Sequence, residues 1–141
     1  MHQPAIGFVC SQTASSTAIL PVLDWAALVS KGTMPIISTF HSKLEQSVLE
    51  VLLAGSCPII MVIGRKMYKT LPPKLQTAFN SGRLLIVSVS EANRISRQSA
   101  TLCNQYILEN AKEVVVGFAS PNGSLEKLIE TYNLKQKITR L

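Results

Sequence analysis

Pro58-Ile59-Ile60-Met61-Val62-Ile63-Gly64-Arg65 is an unbroken aliphatic run that stops at a glycine and a cation. Apolar side chains at every position, with no polar alternation, suit a strand buried on both faces. Four further runs have the same form: Ala5 to Cys10 before Ser11, Pro35 to Ile37 before Ser38-Thr39, Leu84 to Val87 before Ser88, and Val114 to Phe118 before Ser120. Helix-like intervals separate them, and strands joined by helical crossovers form a parallel sheet. The expected fold is therefore α/β: a Rossmann-like, three-layer parallel sheet with helices on both faces. In such a sheet ligands bind outside the carboxyl ends of the strands, where these hydroxyl and glycine residues fall.

The intervals read as helices. The first runs from Thr17 to about Lys31, with Leu20, Leu23, Ala27 and Leu28 as its buried stripe and Gly32 as its stop. Lys43 to Ala54 places Leu44, Val48, Val51 and Leu52 on one face, and Ser42 with Glu45 forms a capping box. Shorter helices are expected over Lys74–Asn80, after Pro72-Pro73, and over Leu125–Tyr132; a longer one spans Arg97–Asn110, after the polar segment Val89–Ser99. The tail, Asn133 to Leu141, is either a short strand or a docked end.

With 141 residues, 47% apolar and 16% charged, the chain is expected to form one domain over residues 1–141 and not a disordered coil. No apolar stretch has the roughly 18 residues of a membrane span, and no secretory pattern opens the chain, so the default location is cytoplasmic. Cys10, Cys57 and Cys103 are odd in number and lack metal-ligand spacing, which reads as reduced, structural thiols. Asp24 is the sole aspartate, so paired-aspartate metal chemistry is excluded, and no cofactor is implied. His2 is read as part of a disordered end, and His41 as a candidate to line the crevice.

The net charge of +6 is unevenly placed. Val51 to Ser90 contains no Asp or Glu but includes Arg65, Lys66, Lys69, Lys74 and Arg83, with Arg94 and Arg97 soon after. A basic tract beside a strand end is either a solvated face or an electrostatic footprint for phosphates.

Ser120 to Glu126 joins a strand end to a helix start and is a candidate anion site, in which Gly123 is expected to adopt a backbone angle that a side chain would resist. Glu126 is a first-turn glutamate favoured by the helix dipole, or alternatively a general acid or base. Ser11, Ser15, Ser16 and Thr17 form a hydroxyl-rich loop without the glycines of a dinucleotide or Walker fingerprint. Trp25 reads as a core or interface residue. No Ser-His-Asp arrangement is present.

In the order of its segments the chain resembles the DprA/Smf family of DNA-processing proteins, within the SLOG superfamily of Rossmann-like ligand binders. Ile6 to Ser11 resembles the family's first strand and Gly-Ser-Arg turn, and Ile36-Ile37-Ser38-Thr39 its second strand and Ser-Gly turn. Pro58 to Gly64 with Pro72-Pro73, and Gly82 to Ser88, are similar to the third and fourth strand segments. Arg97, Asn104 and Ile107 resemble the stretch built on Arg-Asn-Arg, and Asn122-Gly123-Ser124-Leu125 resembles Ser-Gly-Ser-Leu. Cys10-Ser11-Gln12, Thr39 and Cys103-Asn104-Gln105 stand where the family has Gly-Ser-Arg, the glycine of Ser-Gly and Arg-Asn-Arg, so three arginines and two glycines of those motifs are missing. Pro121 to Glu126 is also similar to a shortened form of the motif of LOG-type nucleotide phosphoribohydrolases.

The resemblance implies non-catalytic binding of single-stranded DNA or a nucleotide at the strand ends. The implied ligand contacts are Ser11, Ser38, Thr39, Gly64, Arg65, Lys66, Ser88, Arg97, Asn104, Asn122, Gly123 and Ser124. Two alternatives stay open: an N-glycosidic hydrolase using Glu126, and a diverged scaffold with a protein partner. Self-association is compatible with either, and no membrane partner is implied.

Overall fold

A computed structural model describes residues 4–141, so His2 lies outside the described residues. The elements run β1 (Ile6–Cys10), α1 (Ile19–Ser30), β2 (Ile36–Ser38), α2 (Lys43–Ala54), β3 (Ile59–Ile63), α3 (Pro73–Asn80), β4 (Leu84–Ser88), α4 (Arg97–Asn110), β5 (Glu113–Phe118), α5 (Ser124–Tyr132) and β6 (Ile138–Arg140). They build one sheet, β4-β3-β2-β1-β5-β6, with every neighbouring pair parallel. The tail thus supplies a short edge strand, which resolves the two options left by the sequence.

The strands are apolar on both faces because each face meets a core. Phe8 and Cys10 of β1 and Ile59, Met61 and Ile63 of β3 point to the side of α1, α2 and α3. Val9, Ile60 and Val62 point to the side of α4 and α5, beside Cys103 and Ile129. Chain order explains this division. From β1 the chain steps outward to β4, then returns across β1 to β5, and right-handed crossovers in opposite directions place their helices on opposite faces. The reversal makes the gap between the ends of β1 and β5 the topological switch point.

The α1 stripe differs from the expected one. Val22, Ala26 and Ser30 are buried, while Leu20 and Leu28 are 71% and 73% exposed, so the helix is turned by one residue, about 100°. Two contacts set that rotation. Trp25 stacks on Phe8 with centroids 5.1 Å apart. Ser30 lies against Gly55, where an added Cβ would come within 2.5 Å of the Ser30 carbonyl oxygen, and that carbonyl accepts from Ser56 and Cys57 amides. Small residues on this face allow close approach that leucines would prevent.

Arg83 also has a structural role. Its guanidinium donates to the carbonyls of Leu52, Leu53 and Cys57, at and just beyond the carboxyl end of α2. A cation there satisfies carbonyls the helix leaves unpaired and complements its dipole. Lys74 pairs with Glu50 at 2.6 Å. Among the described residues no helix is long and apolar enough to cross a membrane.

Candidate functional site

The carboxyl ends of β1, β2, β3 and β5 surround a crevice made of two joined cavities. At the switch point lies a space of about 890 Å³, lined by Ser11, Ser120, Gly123, Ser124, Arg97 and Asn104 among others. Deeper, under the ends of β2 and β3, is a space of about 460 Å³ with Thr39, Phe40, Glu45, Met61, Gly64 and Tyr68 in its wall. Cys10, Gln12, His41, Ile95, Ala100 and Asn104 line both. These volumes fall within the range of small-molecule pockets.

Local chemistry builds the switch-point cavity. The Ser11 amide donates to the Phe118 carbonyl at 2.8 Å, and the Ser120 amide donates to Ser11 Oγ at 2.9 Å, so the β1 and β5 turns are joined. Beyond Ser120 the chain turns through Asn122, at φ 60°, into α5. Gly123 is the N-cap, and among the described residues no side chain caps this helix. Its first-turn amides therefore remain available to an anion.

The start of α4 forms the opposite wall. Ser96 accepts from the Ser99 amide at 3.1 Å while the Ser96 amide donates to Ser99 Oγ at 2.7 Å. Ser99 packs on Gly64, where a Cβ would lie 2.8 Å from its Oγ and 2.9 Å from its Cβ. The missing side chain at the end of β3 thus lets α4 approach, and Arg97 stands at the crevice in its first turn.

The deeper cavity contains Glu45, only 2% exposed, at the third position of α2. Its Oε1 accepts from Thr39 Oγ1 at 2.6 Å and from the amides of His41 and Ser42 at 2.9 and 3.2 Å. Oε2 accepts from the Cys10 amide at 3.1 Å. One carboxylate therefore ties the turn after β1 to the turn after β2. Burial raises its pKa, and the four donors pull the other way. The Cys10 thiol is pushed up to about 12, first by burial and then by the Glu45 charge, and burial and Glu45 bring Cys103 to about 11. Neither thiol is a ready nucleophile at neutral pH. Among the described residues no three His, Cys, Asp or Glu side chains form a group that could hold a metal ion.

Of the residues singled out from sequence, Ser11, Thr39, Gly64, Arg97, Asn104, Gly123 and Ser124 come together in this crevice, as does His41. The others lie elsewhere. Ser38 is fully buried and its Oγ accepts from the Phe40 amide, so it faces no ligand space. Ser88 Oγ lies 2.6 Å from the Arg65 carbonyl oxygen, holding the loop after β3. Arg65 lies over the Tyr68 ring at 4.4 Å, and Lys66 is exposed outside the crevice wall.

Two expectations for the last helix need correction. Gly123 has φ −79°, ordinary extended backbone, and the positive angle belongs to Asn122, which is exposed and does not line the crevice. A side chain at position 123 would instead crowd Ser120, whose carbonyl oxygen is 3.0 Å from an added Cβ. Glu126 faces β6, where both carboxylate oxygens meet the Arg140 guanidinium at 2.8 and 2.9 Å. That pairing lowers its pKa. The important residue missed from sequence is Glu45: its capping-box spacing with Ser42 was visible, but its bond to Cys10, 35 residues away, was not.

The sequence matches no family model and no curated protein. Among solved structures the fold is similar to DNA processing protein A (DprA) from Streptococcus pneumoniae, with TM-score 0.71 and 16% identity over 97% of this chain and 50% of that one. It is also similar to the Moco carrier protein from Chlamydomonas reinhardtii, with TM-score 0.52 and 10% identity over 98% of this chain and 88% of that one. The chain spans about half the length of the DprA structure. At these identities the shared property is the Rossmann-like fold.

Proposed function

We propose that the crevice binds a nucleotide unit, free or within a single-stranded nucleic acid, without transforming it chemically. The observation that carries this reading is the convergence on one cavity of the uncapped first turn of α5, Ser11 and Arg97. A phosphate seated there gains from the helix dipole by roughly 0.3–1 kcal/mol and from a charge-assisted hydrogen bond to Arg97. The adjoining cavity, with Phe40, Met61 and Tyr68 in its wall, has the apolar character and size to take a base.

Outside the crevice, Arg65, Lys66 and Lys69 form a basic margin along which the flanking phosphates of a strand would run. One of the solved structures is named for DNA processing, which agrees with a nucleic-acid ligand. The hydrolase alternative is disfavoured because Glu126 is held by Arg140 and does not line the crevice. A base catalyst must reach the reacting atom.

Calorimetric titration of the full chain with adenosine 5′-monophosphate and with a short single-stranded oligonucleotide tests the proposal. Binding is expected with both, and Arg97→Ala should weaken the monophosphate by about tenfold, the worth of one charge-assisted bond. Absence of binding at millimolar ligand, or unchanged affinity in the variant, would overturn it.

A further inference from the structure

The crevice carries opposite charges at its two ends. Arg97 belongs to the switch-point cavity and Glu45 to the deeper one. The two carboxylate oxygens are unequally engaged: Oε1 receives three donors, while Oε2 receives only the Cys10 amide. A carboxylate oxygen has two lone pairs, so Oε2 keeps capacity for one more donor. Three of the four partners are backbone amides, which can only donate, and they favour the ionised form against the burial that raises its pKa. A phosphate placed beside this buried charge would be repelled with little screening.

Building on the nucleotide reading, we propose that the crevice orients its ligand by charge, with the phosphate at Arg97 and the start of α5 and an amino-bearing base edge at Glu45. The free lone pair of Glu45 Oε2 accepts an N–H from the exocyclic amine of adenine or cytosine, which lies on the edge of the base away from the phosphate. Glu45 is then a specificity-determining residue as well as part of the capping box of α2. Hypoxanthine and uracil carry a carbonyl oxygen at the same place. That oxygen cannot donate, and it brings a partial negative charge against a carboxylate that has lost water.

The test is calorimetric titration of the full chain at pH 7 with paired probes: adenosine against inosine monophosphate, and cytidine against uridine monophosphate. The amino member of each pair is expected to bind at least about tenfold more tightly. Glu45→Gln, whose amide nitrogen can donate to a carbonyl, should reduce each ratio to less than about threefold. Equal binding within each pair, or preference for the carbonyl member, would overturn the assignment of Glu45 and leave nucleotide binding standing. Failure of all four probes to bind would overturn both. The comparison within the parental chain holds however the glutamine variant folds, and a folded variant that kept the parental ratios would remove Glu45 from the site.

Discussion

Gly64→Ala is the substitution whose cost follows most directly from the packing around the crevice. An added Cβ would stand 2.8 Å from Ser99 Oγ, 2.9 Å from Ser99 Cβ and 3.1 Å from the Ser99 carbonyl oxygen. Ordinary carbon contacts are about 3.5–4.0 Å, so the first turn of α4 must retreat by roughly 0.5–1 Å. Ser99 is also half of the box that caps α4, so rotating its side chain away breaks a hydrogen bond and offers no inexpensive relief. Overpacking of this kind costs about 1–3 kcal/mol. For a chain of this length that lowers the melting temperature by about 3–10 °C. Thermal denaturation followed by circular dichroism, without ligand, reads the effect. The origin of the cost is checked by repeating the substitution in a Ser99→Gly background, where two of the three close contacts are gone and most of the penalty should vanish. An equal penalty in both backgrounds would refute the claim that Gly64 exists to admit α4.

Arg83→Ala should lower stability by about 1–3 kcal/mol in urea denaturation, because carbonyls at the end of α2 lose a charged donor, while nucleotide affinity stays unchanged. Arg140→Gln should destabilise the protein at pH 7, by an amount that shrinks as pH falls below the ordinary glutamate range. Arg140 holds the Glu126 pKa below its ordinary value, so the pair's contribution is present above that value and is lost as pH falls through the lowered pKa; a difference independent of pH would contradict the pairing. For single strands, Arg65→Ala with Lys66→Ala should reduce the slope of log affinity against log salt by about 1.4, the release from two phosphates, and leave monophosphate binding unaltered. An unchanged slope would take the basic margin out of the strand's path.

The parts legible in sequence were those fixed by neighbouring residues. Runs such as Ile59 to Ile63 announced strands covered on both faces, and Ser42 with Glu45 announced the start of α2 to the residue. The strand ends also placed Ser11, Thr39 and Gly64 at the crevice, because in a parallel sheet those ends share one edge. What local pattern concealed depends on distant partners. The α1 sequence is apolar around much of its circumference, so periodicity could not choose between Leu20 and Val22; Phe8 and Gly55 made the choice. In sequence Arg83 is one cation of a basic tract; its role comes from the end of α2, which folds beside it. Ser38 follows the same strand-end rule as Thr39, yet strand alternation turned one hydroxyl inward and left the other beside Glu45.

Amide chemical-shift mapping during titration with adenosine 5′-monophosphate tests nucleotide binding at the switch point most directly. The expected result is saturable perturbation at Ser11, at Arg97 and at the first-turn amides Ser124, Leu125 and Glu126, with smaller changes around Thr39 to Glu45. Perturbation confined to the basic margin at Lys66 to Lys69, or none at saturating ligand, would contradict it.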